Sequence, residues 1–347
     1  MHLLGQSLSA TWEPFVLIVG LLFVGHVAAG EGLFEYLGSR CARLPGSDTA
    51  LFVATMLAVA LVTALLNLDT SVVFMTPVAL HAARSRSADE SAFLYGTVLM
   101  SNSASLVLIG SNLTNLLVFS RRSVPGFVFA RHMIAPWLIA VAVTILVVGL
   151  WRGSSLRSRH PVEQNQSPDF RWGPGVVAVA VALALMLTLT HPGLPVLGLG
   201  ALVEIYSWRA VRARGPRETL RTANPTLVVP LFVLALLVGW LGRSWTWPSH
   251  LVAHASSLGT AAVAGLASVV INNLPAASLF AGHRMAHPYA LLLGLDLGPN
   301  LFMTGAMSTL LWFRIARANG ADPRSRDFLK VGVPLALATV VLASLVV

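Results

Sequence analysis

The sequence predicts an all-α polytopic membrane protein with two re-entrant helical hairpins and broken helices. Hydrophobic residues make up 56% of its 347 residues and charged residues only 11%, whereas a soluble domain carries about 25% charged residues. Uncharged apolar runs such as 133–150 and 331–347 are long enough to cross the hydrocarbon layer as helices. A third observation completes the prediction, because polar residues interrupt several of these runs.

The apolar runs predict the following membrane segments: 14–37, 50–83, 91–120, 133–151, 174–190, 193–208, 226–242, 249–286, 288–313 and 331–347. Segments 50–83 and 249–286 are too long for one crossing. The first is interrupted by N-L-D at 67–69 and the second by N-N-L-P at 272–275. Each therefore predicts a hairpin that enters and leaves on one side, with irregular backbone that lines a cavity or is buried in protein.

The distribution of arginines predicts the orientation. With eight full crossings and loop 209–221 in the cytoplasm, most basic side chains lie inside, as the positive-inside rule requires. The basic residues that remain outside are Arg121, Arg122, Arg131, Arg243 and Arg284. The two hairpins then open from opposite sides, which is the inverted repeat of many secondary transporters. We therefore expect a multi-pass protein of the inner (plasma) membrane.

The domain organisation follows from this arrangement. Segment 101–115 resembles segment 295–309, because both are rich in Ser, Asn, Thr and Gly inside apolar helices. The predicted units are an N-terminal scaffold span at 1–49, a first repeat at 50–151, a cytoplasmic link with scaffold helices at 152–225, and a second repeat at 226–347.

Two acidic residues lie within the interrupted segments, Asp69 at the first hairpin tip and Asp296 before the break at 298–300. A carboxylate inside a bilayer is costly and usually serves a function, so the first interpretation is proton or cation coupling. The alternative is that each carboxylate caps a broken helix by accepting orphan N–H groups. Glu204 is a third acid in apolar sequence, and its position near the arginine-rich loop predicts a helix-end ion pair.

Asparagines cluster at the same breaks. They are Asn67, Asn102, Asn112, Asn115, Asn272, Asn273 and Asn300. Side-chain amides near exposed helix N-termini can hold an anion or a polar neutral solute, and unwound carbonyls can hold a cation. The alternative is hydrogen bonding between helices, which is common for Asn and Ser in membranes.

The sequence also excludes several functions. It contains no Walker motif, Rossmann fingerprint or nucleophile elbow, so we expect neither an enzyme nor an ATPase, and no cofactor. One cysteine, Cys41, and histidines without ligand spacing predict no metal site. The net charge of +9 comes from short loops between apolar spans and does not indicate nucleic-acid binding.

Five motifs, in this order, resemble those of the arsenite-efflux membrane proteins. They are N-L-D-T-S-V-V-F-M-T-P (67–77), S-A-S-L-V-L-I-G-S-N-L-T-N (103–115), N-L-P (273–275), G-L-D-L-G-P (294–299) and G-A-M-S-T-L-L-W (305–312). That family belongs to the ion-transporter superfamily, whose members have a citrate transporter-like domain. The resemblance covers nearly the whole chain. It implies inverted repeats, a scaffold domain, a mobile transport domain and a homodimer.

The resemblance also implies a site. Its substrate-binding residues would be Asn67, Ser111, Asn112, Asn115, Asn272, Asn273, Thr304, Ser308 and Thr309. The coupling ion would bind at Asp69 and Asp296. The chain departs from the family at Asn102, the repeat counterpart of Asp296, where family members carry an acid. Asn102 is therefore the third residue assigned to coupling.

Three functions remain open from the sequence. The first is proton-coupled efflux of arsenite or antimonite as the neutral trihydroxide, because a lone cysteine cannot supply the thiolates that As(III) prefers. The second is a Na+- or H+-coupled carrier of a dicarboxylate or other oxyanion. The third is a channel or membrane scaffold without coupling. An ATP-driven mode would need a separate soluble ATPase subunit.

Overall fold

The structure is a computed structural model that describes residues 2–44, 46–122, 124–156, 170–210, 215–283 and 285–347. Within these ranges the regular elements are helices, which confirms the predicted all-α class. The helices long and apolar enough to cross a membrane are Leu3–Gly30, Asp48–Leu66, Gly126–Trp151, Pro216–Ser244 and Ser325–Ser344. The shorter apolar helices are Pro174–Thr188, Gly193–Trp208 and Ser257–Ile271.

The first half of the chain contains seven helices. They are α1 (His2–Gly30), α2 (Leu33–Ala42), α3 (Asp48–Leu66), α4 (Leu68–Arg84), α5 (Glu90–Ala104), α6 (Leu113–Phe119) and α7 (Gly126–Trp151). A single residue separates α3 from α4 at the first hairpin tip. Between α5 and α6 the chain unwinds, apart from one 3₁₀ turn at Ile109–Ser111.

The connecting region follows. Its helices are α8 (Gly153–Leu156), α9 (Pro174–Thr188), α10 (Gly193–Ala210) and α11 (Pro216–Ala223). Helix α10 packs along α1, and Gly20 allows the close approach, because a Cβ there would lie 2.7 Å from the Val196 carbonyl oxygen. The centre of the predicted link 152–173, together with Arg212 and Arg214, lies outside the described residues.

The second half repeats the order of the first. Its helices are α12 (Pro225–Ser244), α13 (Trp247–Ala253), α14 (Ser257–Ile271), α15 (Asn273–Phe280), α16 (Pro288–Leu297), α17 (Met307–Ala318) and α18 (Ser325–Ser344). Again a single residue separates the hairpin helices, α14 and α15. Two 3₁₀ turns, at Gly298–Leu301 and Met303–Gly305, fill the break between α16 and α17.

The same order of long helix, short helix, hairpin, broken helix and long helix thus occurs twice. It includes α1 and α2 in the first half, which correspond to α12 and α13 in the second. The division of the chain into domains stays a prediction, as does the orientation of the halves in the membrane. Arg284, one of the arginines predicted to lie outside, is not among the described residues.

The first predicted segment, 14–37, differs from the structure at both ends. Helix α1 begins at His2, and within its polar N-terminal part the Thr11 hydroxyl donates to the Ser7 carbonyl over 2.7 Å. Arg243 of α12 donates to the Gln6 carbonyl over 3.2 Å and ties this end to the second half. The helix ends at Gly30, and Gly32, with φ of 81°, starts the separate helix α2.

Candidate functional site

The first hairpin tip is built around Asn67. Its backbone has a φ of 132°, which ends α3, and its side-chain oxygen accepts a hydrogen bond from the Thr70 backbone N–H over 2.8 Å. Asn67 is therefore the N-cap of α4, as its residue type favours. This cap places Asp69 in the first turn of α4, where the helix dipole favours a negative charge.

The second hairpin tip is built around Asn272, which has a φ of 74°. Its side-chain oxygen accepts from the Leu274 N–H over 3.3 Å and so caps α15. Its side-chain nitrogen donates to the Thr304 carbonyl over 3.0 Å. The second tip is thus joined to the break between α16 and α17, and both predicted tips lie where helices end and begin.

Two of the predicted substrate residues support the unwound backbone of the first break. The Asn115 side chain donates to the carbonyls of Ser105 and Leu108 over 2.9 and 3.1 Å. The Ser111 hydroxyl bonds the same two carbonyls, over 2.5 and 2.6 Å. Buried carbonyls that lack a helical partner need such donors. These hydroxyl and amide donors therefore hold the shape of the break.

Asn102 takes part in a different network, which joins the two halves. Its side-chain nitrogen donates to the Asn300 side-chain oxygen over 2.8 Å. The Asn300 nitrogen donates in turn to the Ser103 hydroxyl over 3.2 Å, and Thr144 of α7 bonds Ser103 over 2.9 Å. Asn102 and Asn300 are fully buried. The network connects both broken helices to α7.

Asp296 lies at the end of α16 and is only 1% exposed. One carboxyl oxygen accepts from the Asn112 side-chain nitrogen over 3.0 Å and from the Thr114 hydroxyl over 2.5 Å. The other oxygen is buried and has no hydrogen-bond partner among the described residues. Asn112 and Thr114 begin α6, so the broken helix of the first half covers the acid of the second half.

A small cavity of about 40 Å³ lies where the hairpins and broken helices meet. Its lining comes from the first turns of α4, α6, α15 and α17, the N-caps of the last three, and Leu231 of α12. The polar residues in that lining are Asp69, Asn112, Thr114, Asn272, Asn273 and Ser308. Because the N–H groups of a first helical turn lack helical partners, this convergence favours a negative charge or hydrogen-bond acceptors.

Two larger cavities adjoin the small one at Asp69. One, of about 240 Å³, extends past His26 and Arg221. The other, of about 250 Å³, extends past Asn224 and Arg314. Asp69 lines all three cavities, and among their described lining residues it is the one charged side chain that they share. The first tip is therefore open on the side that carries Arg221 and Arg314.

The structure thus divides the predicted site residues into two groups. Asp69, Asn112, Asn272, Asn273 and Ser308 face the small cavity. The others lie behind it or beside it: Asn67, Asn102, Ser111, Asn115, Asp296, Thr304 and Thr309. Thr309 is fully buried with its hydroxyl unpartnered in the described part, whereas Thr304 is exposed and contributes its carbonyl. Their roles in binding and coupling stay predictions.

Sequence reasoning missed His26, which lies on α1 and lines the cavity beside Asp69. The available signal was a titratable residue inside an apolar run, which in a membrane indicates function. Glu204, for which the sequence predicts a helix-end ion pair near the arginine-rich loop, has its Oε2 3.0 Å from Nδ1 of His26. This contact is an ion pair only when the imidazole is protonated.

No grouping of three or more His, Cys, Asp or Glu side chains suited to a metal occurs in the described ranges. The Cys41 thiol is free and lies outside the three cavities. Burial raises the pKa of this thiol, which lowers its thiolate fraction and its reactivity toward soft metals and metalloids.

Known proteins resemble the chain over most of its length. Residues 7–303 match the family described as citrate transporter. The chain is 25% identical over 374 residues to a 46 kDa membrane protein of Mycobacterium leprae, with 96% of this chain and 85% of that protein covered. It is 23% identical over 361 residues to an arsenical pump membrane protein of Escherichia coli, with 94% and 83% covered.

A solved structure has the same fold. The crystal structure of the YdaH transporter of Alcanivorax borkumensis aligns with a TM-score of 0.62 over 99% of this chain and 86% of that one. The sequence identity is 14%, so this likeness concerns the fold alone.

Proposed function

The chain belongs to the citrate transporter family and is a multi-pass membrane transporter, and from this premise we propose that it exports arsenite or antimonite in exchange for protons. The observation that carries the proposal is the position of Asp69. Its carboxyl lies in the first turn of α4, within a cavity lined by the starts of three further helices.

The cavity suits a neutral trihydroxide. Each hydroxyl of such a solute donates one hydrogen bond and accepts others. An ionised Asp69 would accept from one hydroxyl, while the amides of Asn112, Asn272 and Asn273 and the hydroxyl of Ser308 can both donate and accept. No thiolate is needed, in agreement with the position of Cys41 away from the cavities.

The same carboxyl supplies the coupling. When Asp69 is ionised, its carboxylate accepts a strong, charge-assisted hydrogen bond from a solute hydroxyl. When it is protonated, one oxygen becomes a donor and the remaining acceptor is neutral and weaker. Solute and proton therefore compete for one group. A carrier whose site holds either the solute or the proton, in alternation, exchanges one for the other across the membrane.

The larger cavities indicate the side from which this conformation would load. They connect Asp69 with Arg221 and Arg314, which belong to the loops that the charge distribution predicts in the cytoplasm. Export requires that the solute enter from this side. The arrangement therefore supports a cytoplasm-facing state of the transport cycle.

Asp296 is the second proposed coupling residue, and Asn112 connects it with the cavity. The Asn112 side chain lines the cavity and also donates to the Asp296 carboxyl. A solute that competes for this amide would weaken one of the two hydrogen bonds that Asp296 accepts. We propose that Asp296 responds to occupancy of the cavity through Asn112 and Thr114.

A coupled carrier of a dicarboxylate or other oxyanion is the second candidate. The N-termini of four helices surround the cavity and favour a negative charge. Two arginines line the larger cavities. An anion would bind when Asp69 is protonated, because an ionised carboxylate repels it. Proton and anion would then move together, in contrast to the exchange proposed for arsenite.

The homodimer and the soluble ATPase subunit stay predictions.

Arsenite uptake by everted membrane vesicles that contain the protein distinguishes the candidates. With an acidic lumen, we expect accumulation that an uncoupler abolishes. Vesicles without the protein are the control. No accumulation by folded protein would contradict the proposal, and accumulation of a dicarboxylate driven by an inward Na+ or proton gradient would support the anion carrier.

A further inference from the structure

His26 connects a buried carboxylate with one near the surface. Its Nδ1 lies 3.0 Å from Oε2 of Glu204 in α10, and its Nε2 lies 3.5 Å from Oε1 of Glu218 in α11. Glu204 is fully buried, whereas the Glu218 side chain is 39% exposed. The imidazole itself is 21% exposed and lines the cavity of about 240 Å³ that Asp69 also lines.

Few other charges surround this histidine. Thr219 of α11 donates to the second Glu204 oxygen over 3.1 Å, and Trp208 donates to the Thr219 hydroxyl over 3.0 Å. The other titratable side chains in the described lining of the cavity are Arg221 of α11 and Asp69 of α4. The parts of α6, α12 and α17 that line it carry none, and α9, which also packs on α1, has no titratable residue.

The packing of α1 brings His26 next to the first hairpin tip. A Cβ on Gly25 would lie 2.8 Å from Cγ2 of Thr70, so α1 and α4 touch at the residues that precede His26 and follow Asp69. The shared cavity has room for several water molecules, since one water needs about 10–15 Å³ of this volume. A short water chain can therefore join the two side chains.

The burial of Glu204 favours one tautomer of the neutral imidazole. The buried Glu204 carboxylate needs donors, and Nδ1–H of a neutral imidazole supplies one. The lone pair of Nε2 then faces the Glu218 carboxylate, so two acceptors oppose each other across 3.5 Å. A proton on Nε2 converts this contact into a charge-assisted hydrogen bond. Nε2 is thus a proton acceptor with its counter-ions already in place.

We propose that His26, with Glu204 and Glu218, is the proton-transfer site through which Asp69 exchanges its proton with the cytoplasm. This inference rests on the proposed proton coupling. The proton leaves the Asp69 carboxyl, crosses water in the cavity and binds Nε2 of His26. The imidazolium then passes it beside Glu218 to cytoplasmic water, which leaves Asp69 ionised and His26 neutral.

Time-resolved infrared spectroscopy after an upward pH jump tests this transfer without any solute. The protonated-carboxyl band of Asp69 is assigned by its absence in Asp69→Asn. We expect His26→Gln to slow the loss of this band at least about tenfold, since positioned acid–base groups contribute about 100-fold or more. Added imidazole buffer should restore the rate, which a purely structural defect would not allow.

His191→Gln is the matched control. Nδ1 of His191 similarly lies 2.8 Å from a carboxyl oxygen of Glu13, which is in the N-terminal half of α1, and His191 does not line the cavity. The Asp69 band should disappear from His191→Gln at the same rate as from the unchanged protein. Glu218→Gln, on exposed α11, should also slow the loss of the band. This variant tests the inference if His26→Gln does not fold.

The inference would be overturned if the Asp69 band disappeared equally fast from the unchanged protein and from folded His26→Gln or Glu218→Gln. That result would leave the proposed function intact. Absence of any Asp69 band in the unchanged protein would show that Asp69 does not titrate. That result would contradict the proposed coupling and this inference together.

Discussion

The two intramembrane acids occupy opposite environments. Asp69 lines three cavities at the first hairpin tip. Asp296 is 1% exposed, and Asn112 and Thr114 of the other half cover its carboxyl. Both residues come from equally apolar surroundings in the sequence. A shared residue type therefore does not give the two halves a shared role, because one acid can contact solute and the other contacts only protein in this conformation.

The repeats explain how the difference arises. At the tips, the first half has Asp69 in the first turn after Asn67, whereas the second half has Asn273 and Leu274 after Asn272. At the broken helices the order is reversed, since Asp296 of the second half corresponds to Asn102 of the first. Each half therefore carries one acid at a break, which is the hairpin tip in the first half and the broken helix in the second. The two positions should therefore differ in function as they differ in structure.

Asp69→Asn has the largest expected effect. The amide keeps the size of the side chain but cannot exchange a proton, so we expect proton-driven arsenite uptake to fall to the level of vesicles without the protein. Uptake by everted vesicles under an acidic lumen measures this. Uptake by Asp69→Asn near that of the unchanged protein would contradict the functional difference expected between Asp69 and Asp296.

Asp296→Ala should mainly affect stability. The change removes the acceptor of the Thr114 hydroxyl and one of the two acceptors of the Asn112 amide, which also donates to the Ser105 hydroxyl. The cost is about 1–3 kcal/mol for each buried donor left unpaired. We expect a lower melting temperature of the purified protein in detergent. Asp296→Asn is the control, since its side-chain oxygen still accepts both bonds, and it should melt near the unchanged protein. The reverse order of the two variants would contradict the assigned hydrogen bonds.

Asp296→Asn also tests the second coupling role. If Asp296 moves a proton, this variant loses uphill export although it stays folded, and the vesicle assay measures it. Because Asp296 acts through Asn112 and Thr114 in our account, we expect a smaller loss than for Asp69→Asn. Full uphill export by Asp296→Asn would remove Asp296 from the coupling.

The amide pair that joins the halves should show a moderate energetic coupling. Asn102 donates to Asn300 across the two broken helices. A double-mutant cycle of Asn102→Ala and Asn300→Ala should give an interaction free energy of unfolding of about 0.5–1.5 kcal/mol. Chemical or thermal denaturation measures it. Additive effects would mean that the two broken helices do not support each other through these amides.

Arg314→Ala has the smallest expected effect if the solute is neutral. The guanidinium lines the cavity of about 250 Å³, but its long-range electrostatic attraction acts only on charged solutes. We expect arsenite uptake to change by less than about twofold, with no dependence on salt. Arg317→Ala, on the same helix but outside the cavity lining, is the control. A large, salt-dependent loss for Arg314→Ala alone would favour an anion.

The sequence predicts the places where the backbone breaks, because Asn, Gly and Pro interrupt apolar runs there. The left-handed or otherwise positive φ values at Asn67 and Asn272 confirm both tips. The break before α6 and the break before α17 also lie inside predicted segments. Local chemistry suffices for these features, since caps and helix ends depend on near neighbours in the chain.

The tasks of individual side chains could not be predicted in the same way. Ser111, Asn112 and Asn115 belong to one motif, yet Ser111 and Asn115 satisfy carbonyls of the break while Asn112 reaches Asp296. These donors are chemically alike, so only the path of the unwound chain separates them. His26 and Glu204 are far apart in the chain yet in contact, and a periodic sequence pattern does not predict such contacts.

The change in luminal pH on addition of arsenite to everted vesicles tests whether Asp69 binds solute and proton in alternation. With an acidic lumen and a pH-sensitive dye inside, exchange of entering arsenite for leaving protons should raise the luminal pH. The rise should be absent in Asp69→Asn. No change, a fall in luminal pH, or a rise that persists in Asp69→Asn would contradict the account.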